Sequence, residues 1–132
     1  MIWMHKNDNG RSLVPDAVVL PRNPAVAYAA GTALVFSGGV AIAASGAKKP
    51  QYICYSNNEA NDGSELVAYA VSETARFEVP VTAAPTSLKV GDKVTLATDG
   101  KGVTATTTDG VATIVDLQGA KKIGDTIIVM FE

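Results

Sequence analysis

Hydrophobic positions in this chain fall in short alternating runs separated by glycine, asparagine, aspartate and proline. Alternation is the period of a half-buried β-strand, whose successive side chains point to opposite faces of a sheet. The pattern predicts strands over 33–36, 40–44, 52–56, 66–71, 75–81, 94–97, 103–107, 112–117 and 126–131, with a further short one over 17–20. In the run 75–81, Phe77, Val79 and Val81 alternate with Arg76, Glu78 and Pro80. Pro80 has no amide N–H to give to a ladder, so it marks a strand end or a sheet edge. Ser37-Gly38-Gly39 predicts a tight hairpin between 33–36 and 40–44, because glycine takes positive φ without strain. Ser72-Glu73-Thr74 is expected to close a second hairpin, from 66–71 to 75–81. A short helix over 66–75 is the competing reading, but Val67, Tyr69 and Val71 alternate, and strand is the expectation.

The pattern is also written twice. Gly31-Thr32-Ala33-Leu34-Val35-Phe36 answers Gly91-Asp92-Lys93-Val94-Thr95-Leu96 at an offset of 60. Tyr52-Ile53-Cys54-Tyr55 answers Thr113-Ile114-Val115-Asp116, and Gly63 to Tyr69 answers Gly124 to Met130, both at an offset of 61. The expected fold is therefore all-β, a small barrel or sandwich of two similar halves, each of about 60 residues. The halves span 25–81 and 88–132, joined by the linker 82–87, and share one core in a single domain, 25–132. Residues 1–24 stand apart as an extended N-terminal arm, interrupted by Asn7-Asp8-Asn9-Gly10 and by Pro15, Pro21 and Pro24. Such an arm packs poorly on itself and is expected to lie on its own domain or on a neighbour.

Composition narrows the partners. Lys and Arg number 11 against 13 Asp and Glu, for a net charge of −2, and no basic stripe forms. Nucleic-acid binding needs concentrated positive charge to displace counterions, so no nucleic-acid partner is expected. Residues 25–47 carry no charge, but four glycines and two alternating halves make a hairpin the better reading than a membrane span. The opening MIWMHKNDNG lacks the charged and apolar regions of a signal peptide.

Reactive chemistry has few residues to work with. Cys54 is the only cysteine and sits in an apolar run, where a buried small hydrophobe is expected rather than a nucleophile. His5 is the only histidine, too few for a zinc site built on histidine and placed outside the predicted barrel. Asp92, Asp99, Asp109 and Asp125 adjoin glycines at predicted turns and lack calcium-loop spacing. Gly100-Lys101-Gly102 lacks the spacing of a phosphate loop. No cofactor, metal or catalytic residue is expected. Trp3, the only tryptophan, reads as an amphipathic anchor near a chain end. The candidate contact residues are Trp3, His5, Arg11, Val18, Val19, Leu20 and Arg22.

The runs Ala30-Gly31-Thr32-Ala33-Leu34, Gly39-Val40-Ala41 and Lys49-Pro50-Gln51-Tyr52-Ile53 resemble the capsid decoration (cement) proteins of tailed bacteriophages. So does the close, from Lys89-Val90-Gly91-Asp92-Lys93-Val94 through Gly124-Asp125-Thr126-Ile127-Ile128-Val129. The resemblance covers roughly residues 25–132. It implies a non-enzymatic structural protein of the virion, made in the host cytoplasm and bound to the major capsid protein on the outside of the head. It further implies a homo-oligomer, often a trimer, that resists expansion and internal pressure. Two other readings follow from the residues: a carbohydrate- or host-surface-binding β-module, which needs exposed loop aromatics, and a small β-barrel hydrolase, which needs a pocket with close carboxylates.

Overall fold

The computed structural model describes residues 1–7, 17–72 and 75–131, with 3–7 as backbone alone. These residues form ten strands and no helix. They are β1 (Trp3–Asn7), β2 (Ala17–Leu20), β3 (Ala33–Ser37), β4 (Val40–Ala43), β5 (Tyr52–Cys54), β6 (Leu66–Ala70), β7 (Ala75–Pro80), β8 (Lys93–Val94), β9 (Ala112–Asp116) and β10 (Thr126–Phe131). One five-stranded antiparallel sheet runs β2–β6–β5–β3–β4 and the other β1–β7–β10–β9–β8. The protein is a small all-β sandwich.

The internal duplication maps onto these sheets strand for strand. The three matched blocks are β3, β5 and β6 in one sheet and β8, β9 and β10 in the other, in the same spatial order. The strand that precedes each matched set lies beside its last member, β2 against β6 and β7 against β10, which is Greek-key connectivity and puts β7 with the second set rather than at the end of the first half. The corners that allow this are equivalent too. The Pro21 carbonyl accepts the Ala41 N–H at 2.9 Å, and the Pro80 carbonyl accepts the Val103 N–H at 3.0 Å. Pro80 thus ends an inner strand rather than lying on an edge.

Three expectations change. The segment 66–81 is not a hairpin: β6 pairs with β2 and β5, whereas β7 pairs with β1 and β10, so the chain crosses from one sheet to the other after Ala70. The strand expected over 103–107 is reduced to isolated bridges from Val103 to Val81 and Leu96. Residues 1–7 and 17–24 lie within the domain rather than forming an arm outside it. β1 forms one edge of its sheet, β2 forms one edge of the other, and Ile2 is fully buried in the core. The backbone of a strand gains its hydrogen bonds from whichever edge accepts it, and both sheets offered one.

The inner faces share one core. Phe77, Val79, Ile127, Val129 and Phe131 from one sheet meet Ala33, Ile53 and Tyr69 from the other. The Phe77 and Phe131 rings pack with centroids 5.2 Å apart and an interplanar angle of 47°. A smaller cluster lies on the opposite face of the first sheet, where Leu20, Tyr28, Leu34, Cys54 and Leu66 are buried together. Tyr28 seals it: its hydroxyl donates to the Ala41 carbonyl at 2.7 Å and accepts the Asn23 N–H at 3.0 Å. The hairpin β3–β4 pairs Ser37 with Val40 across Gly38-Gly39, both at positive φ (61° and 83°), as a two-residue turn requires.

Because Ile2 fills core space while Val19 stands 58% exposed, the two ends of the presumed arm have different weight. Ile2→Ala is expected to cost about 2–4 kcal/mol and Val19→Ala under about 0.5 kcal/mol, read as denaturant midpoints. Equal effects would place Ile2 outside the cooperative core.

Candidate interaction surface

Of the residues expected to contact a partner, Val18 and Val19 are exposed, 38% and 58%, on β2. β2 is a sheet edge, and the charge-free run Ala17-Val18-Val19 is open along it. Among the described residues no backbone group bonds to its outer side. Trp3 and His5 lie on β1, also an edge strand, with only their backbone described. Arg11 lies outside the described residues.

Leu20 and Arg22 are corrected by the structure. Leu20 is buried beneath Tyr28 and Leu66, so its apolar surface is already covered. Arg22 is consumed internally, its side chain only 10% exposed. Nη1 bonds the Asp62 carboxylate at 3.0 Å and the Ser64 carbonyl at 2.9 Å, while Nη2 bonds the carbonyls of Val26 (3.0 Å) and Glu59 (2.9 Å). The guanidinium also lies 5.4 Å from the Tyr28 ring centre, and its Nε is buried without a partner. A guanidinium so committed has no fork left for a partner protein.

Around Arg22 the segment 57–64 becomes a fixed structure. Asp62 accepts from the Ser64 N–H (2.9 Å), the Ser64 hydroxyl (2.6 Å) and the Glu59 N–H (3.0 Å). Buried Asn58 donates to the Ser64 hydroxyl and the Glu65 carbonyl and accepts from the Ser56 hydroxyl. The Ser64 hydroxyl and amide, then the Glu59 amide and Arg22, hold the Asp62 carboxyl well below the usual carboxylate range. A carboxyl lowered on folding stabilises the folded chain above its unfolded value near pH ~4, and that contribution disappears only as the pH falls toward the depressed value.

The remaining candidate chemistry resolves into turns and packing. Asp99 accepts the Lys101 N–H at 2.9 Å and Asp116 the Gln118 N–H at 2.8 Å, both turn contacts. Burial pushes the Cys54 thiol up, and its Sγ donates to the Ser56 carbonyl, which suits a packing residue. A cleft of about 360 Å³ opens between residues 23–29 and the β3–β4 hairpin, with Asp99 the one carboxylate in its wall. Among the described residues no group of three or more His, Cys, Asp or Glu could hold a metal. The uncharged run 25–47 folds as loop and hairpin, and no helix of the described residues is long and apolar enough to cross a membrane.

No protein-family model matches the chain, and no curated relative or solved structure matches it either.

The Arg22 cluster makes its own prediction. Arg22→Met keeps the aliphatic stem but removes the donors, and should cost about 2–3 kcal/mol. Hydrogen exchange should quicken over 57–64 before it does in β7 and β10. Uniform acceleration across both sheets would show instead that Arg22 supports the whole sandwich.

Proposed function

We propose that this protein is a structural component of a bacteriophage virion, a decoration protein that binds the outside of the head and stabilises it. The reading is carried by the repeated strand-and-turn runs through which residues 25–132 resemble such proteins. The open edge of β2 supports it. A charge-free strand with exposed valines suits β-augmentation, either with a neighbouring copy in a homo-oligomer, a trimer by the resemblance, or with an extended segment of the major capsid protein. Many identical weak contacts on a lattice give retention that one contact does not.

One observation favours a second reading. Tyr55 follows β5 rather than lying within it, stands 60% exposed and has Tyr69 as its ring neighbour at 6.3 Å. An exposed tyrosine just outside a strand is what a carbohydrate-binding module would present.

Cosedimentation with expanded heads of a tailed bacteriophage distinguishes the two. Saturable binding by the wild type, weakened by Val19→Lys at the β2 edge, is expected of a decoration protein. Absence of binding to heads, together with quenching of Tyr55 fluorescence by a soluble glycan, would establish the second reading instead.

A further inference from the structure

Among the described residues, the two most exposed large hydrophobic side chains are Ile123 (67%) and Val90 (62%). They occupy the same place in the same turn. Lys89-Val90-Gly91-Asp92 and Lys122-Ile123-Gly124-Asp125 are both lysine, β-branched residue, glycine, aspartate. In each, the aspartate N–H bonds back to the lysine carbonyl, at 3.0 and 3.2 Å. In each, the glycine takes positive φ, 95° and 92°, as the third position of a type II turn requires. The aspartate carboxylates turn inward onto backbone: Asp92 accepts the Lys89 N–H at 2.9 Å, and Asp125 accepts those of Lys121 (3.0 Å) and Lys122 (3.1 Å).

The duplication supplies an internal control. The glycines equivalent to Gly91 and Gly124 are Gly31 and Gly63, also at positive φ (82° and 71°). The residues before them are Ala30 and Asp62. Ala30 is buried, and Asp62 is tied to Arg22, Ser64 and Glu59. The fold therefore needs a glycine at all four turns but does not need an exposed β-branched residue at any of them. A single exposed valine is ordinary on a protein surface. Two in one repeated turn, where the sister half has none, point to something outside the chain.

The topology places both turns at one end of the same sheet, on either side of β9. β8 and β10 each pair antiparallel with β9, so they run parallel to one another, and the turns that lead into them lie at the same end of that sheet. Lys89, Lys121 and Lys122 are exposed there. The carboxylates of Asp92 and Asp125 are half-buried against backbone amides beneath these lysines, and Asp116, which accepts the Gln118 N–H, is exposed at the end of β9. The end thus presents two apolar knobs bordered by ammonium groups, on a chain whose net charge is −2.

We propose that Val90 and Ile123, with Lys89 and Lys122, form the surface by which this domain docks onto a protein partner whose complementary face is apolar and rimmed by carboxylates. The inference rests on the decoration reading in naming that partner as the outer surface of the shell, with the β2 edge left for contacts between copies. Docking buries the two knobs together, and the lysines set orientation and salt dependence.

The test compares Val90→Ser/Ile123→Ser and Lys89→Glu/Lys122→Glu with Val26→Ser, an exposed apolar substitution elsewhere. All three are expected to melt with the wild type, since none touches the turn glycines or the core. On expanded heads, the two double variants should bind about tenfold or more weakly while Val26→Ser binds normally. Heads that bind the wild type and both double variants equally would overturn the docking surface and leave the decoration reading standing. If the wild type fails to bind heads, the decoration reading falls, and the surface is judged on an aromatic-carboxylate chromatography matrix that offers the same apolar and acidic chemistry. Earlier elution of both double variants, but not of Val26→Ser, would uphold it; unchanged elution would overturn it.

Discussion

Neither sheet of this protein can bury its apolar face without the other. The inner residues of each sheet alternate with half-buried ones, as in Arg76 and Glu78 beside Phe77 and Val79, so a lone sheet would leave its apolar face in water. Pressing the two faces together satisfies both at once. Much else follows from that. The chain must pass between sheets after Ala70, the strand preceding each matched set must lie beside its last member, and the proline corners at Pro21 and Pro80 must hold matching positions. Ile2 is drawn into the same core from the far end of the sequence.

Much of this was legible in the residues. Alternation located most of the strands, Gly38-Gly39 located the β3–β4 turn, and the matched blocks anticipated an all-β fold of two similar units. The misplacement of β2 also has a visible cause. Leu20-Pro21 answers Val79-Pro80 at an offset of 59, which would have joined β2 to the repeat, but its residues are too few to stand out beside three prolines. Prolines argue against strand interiors and say nothing against a corner. The crossing at 66–81 was hidden for another reason: two alternating runs joined by a short polar segment look alike whether they pair with each other or with different sheets.

The contact residues were harder to read. Val18 and Val19 are exposed, whereas neighbouring Leu20 is buried and Arg22 half-buried, and no periodicity separates them. Arg22 finds Asp62 at a separation of 40 residues, a pairing that only the returning β6 brings about. The run 57–63 is polar and ends in glycine, which marks a loop, but its internal order depends on that distant guanidinium. Local pattern specifies which residues form strands; it does not specify which side chain a loop will capture.

The tip of the β3–β4 hairpin has another use. Gly38 and Gly39 have open space where a side chain would project, and their exposed positions make no packing contact that a longer loop would break. A foreign peptide could replace the pair there, provided its own ends bring Ser37 and Val40 back into register. Were the domain to tile a shell as proposed, such an insertion would be repeated at every site with one orientation, turning a hairpin turn into a scaffold for ordered display.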